Sequence, residues 1–561
     1  MSHTAATIWV ETNRACEVAI LGRRARTFEV AGHYYALVVA DDLRPGSEHE
    51  YQVELDGAVR WPEPGSPFPP STVRTPRDIF CDGGRDGGRD GGRAGGCDGG
   101  RGPVRLAFGS CRVARARVPR MPDRPDALAA FATRLRQTPR DRWPDALLMI
   151  GDQVYADNPG PVTREFIGQR RDQSKPPGHE VADFAEYCRL YREAWSQPAV
   201  RWLLSVIPTA MIFDDHDFHD DWNTSAAWRR EYTAKPWWRS RITGAYLSYW
   251  LYQHLGNLSP EELGKDEVWR QVRESGDAAA VLTEFAVRAD ERAAGIRWSF
   301  HRDFGGVRVV VIDSRSRRVL DPGGRRMADE AEWRWVTEAV SGDWEHVVLA
   351  TSLPLLLPRG IDALEAWNEA VCDGAWGRLA ARAGERLRRA VDLEHWAAFR
   401  ASFADFETLL AGLAAGAHGT PPASITIISG DVHNNYLAPA DLSTVSLPDV
   451  AEPASRRSVV YQVVCSPFHH VLSRKLRVMY WLGLSRAGEI GGVALARLAG
   501  ARRPRIRWRL TRGPWFENMI CLLEFDGRGA SARFDRALQG EDGTPVLEPA
   551  ATVFDHSALT T

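Results

Sequence analysis

Residues 208–222 read PTAMIFDDHDFHDDW, an apolar run from Met211 to Phe213 that opens directly into five aspartates and two histidines within nine residues. Carboxylates packed this closely repel one another unless cations lie among them, so a merely solvated acidic loop is the weaker explanation. The apolar half has the length of a short buried strand, and its carboxyl end would deliver Asp214, Asp215, His216 and Asp217 to a crevice. In open α/β sheets that end is where sites form.

The same arrangement recurs on both sides of this stretch. Val104 to Phe108 runs into Gly109-Ser110-Cys111-Arg112, and Ala146 to Ile150 runs into GDQVYAD, residues 151–157. Val307 to Ile312 ends in Asp313-Ser314-Arg315, His346 to Ala350 in Thr351-Ser352, and Ser424 to Ser429 in GDVHNN, residues 430–435. Between the first two runs, Leu128, Phe131, Ala132 and Leu135 fall at helical spacing, so strand, helix and strand predict parallel pairing in a layered α/β core. Residues 158–205 read as a helical insert. Ser225 to Gln253, rich in tryptophan, tyrosine and arginine, suits either core packing or the wall of a ligand pocket.

Four segments follow from composition. Residues 1–78 alternate apolar and polar positions between turn clusters, the pattern of a small antiparallel β-sandwich of immunoglobulin or fibronectin type. Residues 79–103 hold a Gly/Asp/Arg repeat with almost nothing to bury, which predicts a linker. Residues 104–535 are expected to form a second, larger domain, and 536–561 a C-terminal tail.

The balance of 71 basic and 73 acidic side chains, net −2, argues against a general nucleic-acid binder. Eight cysteines stand singly, without a CxxC pair, so neither a zinc knuckle nor a disulfide framework is expected. The first residues show no signal peptide or twin arginine, and no apolar run reaches the length of a membrane span. The expectation is a cytoplasmic protein, with export open if the natural start lies upstream. Residues 473–487 carry a basic amphipathic helix that reads as a lid or flank, with contact to an acidic membrane face as the alternative.

As ligands, Cys111, Asp152, Tyr155, Asp215, Asp431 and His433 mix thiolate, phenolate, carboxylate and imidazole. Thiolate and phenolate suit ferric iron, whereas carboxylates also hold calcium, manganese or magnesium, so the set implies two or more metals of unlike character. Two ions about 4 Å apart can clamp a phosphoryl group and acidify a water between them.

FGSC, GDQVYAD, FDDHD and GDVHNN, in this order at strand ends, resemble the alkaline phosphatase D (PhoD-like) branch of the calcineurin-like metallophosphatases, over about residues 104–530. More distantly the chain is similar to purple acid phosphatases, whose iron-binding tyrosine follows the bridging aspartate by three positions, as Tyr155 follows Asp152. The resemblance implies a four-layer α/β/β/α sandwich behind the small β-sandwich, a phosphate-ester substrate, and Fe3+ with Ca2+, for which Mn2+, Mg2+ or Zn2+ can substitute. It implies that Asp152 bridges the metals, that Cys111, Tyr155 and His433 complete the iron site, and that Asp215 and Asp431 hold the second ion. His216 stands where such enzymes keep the histidine that protonates the leaving oxygen. Arg315 is a candidate to stabilise phosphoryl oxygens, with a structural ion pair as its other reading, and Asn434 is a candidate substrate contact.

The chain departs from the family at one point. Related phosphatases supply a further histidine to the second metal from the middle of the domain, and Thr351-Ser352 stands at the comparable strand end here. Asp214, Asp217, Asp220 and Asp221 are the candidates to compensate or to hold an additional calcium, with His219 as a spare ligand. The expected activity is metal-dependent phosphoester hydrolysis, on monoesters or diesters. The alternatives are a phospholipase D-like or polymer phosphodiesterase and a noncatalytic, metal-stabilised binding protein.

Overall fold

The computed structural model describes residues 2–76, 102–114, 124–292, 295–445, 458–472 and 474–555. The expected linker at 79–103 lies outside them except for its last two residues.

Two sheets form the catalytic body, and the alternation of side chains along their strands explains how they stack. In the first sheet the spatial order is Thr209–Ile212, Ala146–Ile150, Val104–Gly109, Met519–Asp526, Gly529–Gln539 and Pro545–Asp555. The first three strands are parallel, as the strand–helix–strand reading predicted, and the remaining three add antiparallel. Ala107, Leu147, Met149 and Met211 pack outward beneath the helices Ala127–Gln137 and Pro198–Val206. Their neighbours Leu106, Phe108, Leu148, Ile150 and Ile212 point the other way, into a core shared with Val309, Val311, Val348, Ala350 and Ile428 of the second sheet.

That second sheet is built on the parallel strands Val307–Ile312, His346–Thr351, Ser424–Ser429 and Val459–Val464, with antiparallel strands at its margins. Val310, Ile312, Val347, Leu349, Ile425 and Ile427 face away from the first sheet and pack under helices Glu330–Ala339 and Arg400–Ala415. Period-two alternation on both sheets therefore makes two apolar faces each, and only a helix, sheet, sheet, helix order buries all four. The fold is the α/β/β/α sandwich that the resemblance implied.

The amino-terminal segment is a small antiparallel β unit of three sheets around Val18, Ile20, Ala36, Val38, Tyr51 and Val53. The insert contains helices Pro161–Arg170, Phe184–Trp195 and Pro198–Val206. In the aromatic stretch Trp228, Trp238, Tyr246, Tyr249 and Trp250 are buried in the main core, so core packing is their role. One boundary is corrected. Gly529–Gln539 crosses the expected start of a tail at 536, and Pro545–Asp555 pairs with it as the outer strand of the first sheet.

Candidate metal centre

The ends of the parallel strands of both sheets meet, and glycine permits the contact. A Cβ on Gly430 would sit 2.1 Å from Ser110 Oγ, and one on Gly151, whose φ is +111°, would sit 2.8 Å from the Cβ of Asp214. Immediately beyond these glycines and strand ends, Cys111, Asp152, Asp431 and His433 all have left-handed backbone, with φ of 57°, 53°, 64° and 48°. Non-glycine residues held there cost about 1–3 kcal/mol each and persist where surrounding structure over-determines them. Here the reversal turns four chemically active side chains toward one centre.

Cys111 Sγ lies 3.4 Å from Asp152 Oδ2, and Tyr155 Oη lies 3.3 Å from both Asp152 Oδ2 and His433 Nε2. One ligand atom each from Cys111, Asp152 and His433 falls within 4.8 Å of the others, and the same holds for Asp214, Asp215 and Asp431. Asp152 also forms such a group with Asp215 and His216, which ties the two clusters together. All six residues expected as metal ligands are thus in one place.

Burial drives the electrostatics. It pushes the Cys111 thiol and the Tyr155 phenol well above their ordinary values, and the charge of Asp152 reinforces both shifts. Burial likewise raises Asp152, with Asp215, Asp214 and Asp217 adding to it against the opposing His216. His433 is pushed down to about 3 by burial and by the charge of His216, which leaves a neutral imidazole with a lone pair to give. Asp152 Oδ1 and Asp214 Oδ2 are buried acceptors with no hydrogen-bond partner among the described residues. Buried carboxylate oxygens without donors, a neutral imidazole, a thiol and a phenol around one point are the donor set a cation requires, and a bound cation reverses the proton preference of such groups.

His216 stacks on Tyr155, ring centroids 4.4 Å apart, and its Nδ1 is 2.8 Å from Asp157 Oδ2. Burial opposes its charge, but Asp157, Asp215 and Asp152 outweigh it and raise the imidazole well above its ordinary value. The carboxylates around it thus favour its charged form, and Asp157 fixes the ring.

The other candidates lie deeper in the structure. Arg315 is fully enclosed, and its guanidinium meets Asp214, Glu394 at 2.5 Å and Asp215 at 3.3 Å, the ion-pair arrangement that is one of its two readings. Asn434 is also fully buried, and its Nδ2 donates to the Val432 carbonyl at 2.6 Å. Asp217 turns inward: its Oδ2 accepts from the backbone N–H groups of Asp152 and Asp214, both at 2.9 Å, bracketing two strand ends. His219 packs among Trp228, Tyr232 and Trp238, and its Nε2 is 3.4 Å from Glu180, which removes it as a spare ligand.

Sequence reading missed His395. Its Nε2 lies 3.0 Å from Asp431 Oδ2 and its Nδ1 2.5 Å from Glu365 Oε1. It follows a helix, Gly377–Ala390, through a short connection instead of ending a strand, so the strand-end rule could not find it. His470 was missed too, and stacks on His433 with centroids 4.0 Å apart. The only sequence sign was the pair His469-His470 after an apolar strand.

Residues 1–73 match a domain of unknown function, DUF7800. Among solved structures, PhoD superposes with a TM-score of 0.55 at 11% identity, covering 99% of this chain and 91% of that one. The purple acid phosphatase PPD1 from yellow lupin (Lupinus luteus) seeds gives a TM-score of 0.43 at 10% identity, over 97% of this chain and 72% of that one. No curated protein matches the sequence. The family model for PhoD-like phosphatase matches residues 128–475, more than half of the chain and the span that holds all these ligand candidates except Cys111. With its sandwich of sheets and its metal-ligand clusters, the chain belongs to the PhoD-like phosphatase family and is a hydrolase of phosphoric esters.

Proposed function

We propose that the protein is a binuclear phosphoesterase in which Cys111, Asp152, Tyr155 and His433 hold a ferric ion, and Asp152, Asp215 and Asp431 a second ion, calcium. The observation that carries this is the pair of ligand groups, Cys111-Asp152-His433 and Asp214-Asp215-Asp431, with Asp152 and Asp215 also grouped together. Soft thiolate and phenolate on one side and carboxylates on the other favour unlike metals. When bound, the ions supply Lewis acidity for the phosphoryl oxygens and acidify the attacking water.

The chain's own residues do the rest. His216 donates its proton to the leaving oxygen, and Asp157 keeps the imidazole oriented and charged until that transfer. Arg315 acts at one remove, holding Asp214 and Asp215 against their mutual repulsion. His395 orients Asp431 from behind and is itself fixed by Glu365, the way outer hydrogen-bond partners hold a ligating carboxylate.

The test is hydrolysis of p-nitrophenyl phosphate and of its bis ester by the purified protein, before and after a chelator. Chelator-sensitive turnover, with metal content near two ions per chain as about expected for a two-ion site, supports the reading. Inactive protein that takes up no metal overturns it.

A further inference from the structure

We propose that the helical hairpin formed by Arg474–Leu484 and Arg486–Leu498 is a docking surface for anionic lipid bilayers. Among the described residues twelve large apolar side chains are exposed, and seven of them, Val478, Met479, Trp481, Leu482, Ile490, Leu495 and Leu498, lie on this hairpin. Trp376, also exposed, lies beside it, its Nε1 donating to the Leu498 carbonyl at 3.4 Å. Single exposed apolar residues are ordinary on a soluble protein, but a concentration of this kind marks an interaction surface.

The packing shows why these side chains point outward. The hairpin meets helix Arg359–Cys372 through its small residues: a Cβ on Gly360 would sit 2.5 Å from the Gly483 carbonyl oxygen, and one on Gly492 would sit 2.9 Å from that of Gly360 and 3.2 Å from the Cβ of Ala363. The closest approaches of this seam are made at glycine, with Ile361 packed against Gly483. Tyr480 turns inward, 7% exposed, whereas Trp481 is 55%, Leu482 61%, Ile490 71% and Leu498 74% exposed. Small residues inside and large apolar residues outside invert the order of a globular helix, and suit a surface that sinks into acyl chains.

Charge selects the occupant. Arg474, Lys475, Arg477, Arg486, Arg497, Arg502 and Arg503 are basic, and Glu489, paired with Arg359 at 3.7 Å, is the single acidic residue from 474 to 503, in a chain whose net charge is −2. A second copy of the same basic face would repel the first across a twofold axis, whereas anionic headgroups attract it. Exposed tryptophan is also the side chain that settles at a headgroup boundary. The same helix that seats the hairpin carries Glu365 to His395, so the docked face lies one helix away from the metal centre. This inference stands independently of the hydrolytic reading.

The experiment is cosedimentation of the full chain with vesicles of phosphatidylcholine alone and of phosphatidylcholine with about a third phosphatidylglycerol. The expected result is at least about tenfold more protein bound to the anionic vesicles, weakening as salt screens the attraction. Trp481→Glu with Leu482→Glu, and separately Ile490→Glu with Leu498→Glu, should each lose that binding while hydrolysis of a soluble ester is unchanged. Absence of binding to either vesicle, equal binding to both, or a wild-type dimer that these substitutions convert to monomer overturns the proposal.

Discussion

His395 stands between two carboxylates, its Nδ1 2.5 Å from Glu365 Oε1 and its Nε2 3.0 Å from Asp431 Oδ2. The chain Glu365–His395–Asp431 runs from a helix outside the second sheet to the loop that closes the metal centre. Burial disfavours a charged imidazole there, and Glu365 with Asp431 overcomes it and raises the group well above its ordinary value. Substituting His395→Ala should lower metal affinity or turnover about 10- to 100-fold, and Glu365→Gln should act in the same direction more weakly. Metal content by elemental analysis, measured alongside kcat, checks both.

His216 is expected to matter in proportion to the difficulty of the leaving group. An alkoxide needs a proton as the bond breaks, and a p-nitrophenolate scarcely does. His216→Ala should therefore cost about 10²- to 10⁴-fold on an alkyl phosphate ester and much less on the nitrophenyl ester. Asp157→Asn should show the same leaving-group pattern at smaller amplitude, since it removes the partner at 2.8 Å and not the acid. Equal losses on both substrates would assign these residues to metal binding or folding instead.

Directly behind Cys111, stability depends on a buried pair. Arg112 reaches Asp126 Oδ2 through Nε at 2.9 Å and Nη2 at 2.7 Å, while Asp126 Oδ1 accepts the Leu128 N–H at the start of helix Ala127–Gln137. Breaking a buried pair from one side costs about 3–5 kcal/mol, so Asp126→Asn should lower the denaturation midpoint sharply. Burial alone would raise the Asp126 carboxyl, but Arg112 outweighs it and holds the group below its ordinary 3.8. A depressed folded value means the stabilisation is complete above 3.8 and is lost as pH falls through the lower folded value. The gap between wild type and variant in urea melts should accordingly be constant near neutrality and narrow only in strong acid.

Most of the fold was legible because each strand of the parallel core is an apolar run ending in a polar signature, and each such run became a strand. The layer order followed from the same alternation. Six metal-ligand candidates were legible for that reason: Cys111, Asp152 and Asp431 sit two residues beyond a strand end and Asp215 three, with Tyr155 and His433 in the same polar signatures. His395 was not, because a loop after a surface helix carries no periodic signal and reaches the centre only through tertiary packing. Arg315 was legible as a guanidinium at a strand end with two readings, phosphoryl contact or ion pair, and only the structure shows Asp214, Asp215 and Glu394 surrounding it. The outer strand Pro545–Asp555 was taken for a tail because its sequence, PVLEPAATVFD, carries two prolines, which an edge strand tolerates.

The central claim is that thiolate, phenolate, imidazole and carboxylate from separate strand ends bind a metal together, and the visible spectrum of the iron-loaded protein tests it most directly. Iron held by Cys111 and Tyr155 should give a charge-transfer band that shifts in Tyr155→Phe, shifts differently in Cys111→Ser, and disappears in Asp152→Asn together with the metal. A colourless iron-bound protein, or a band indifferent to all three substitutions, would contradict the account.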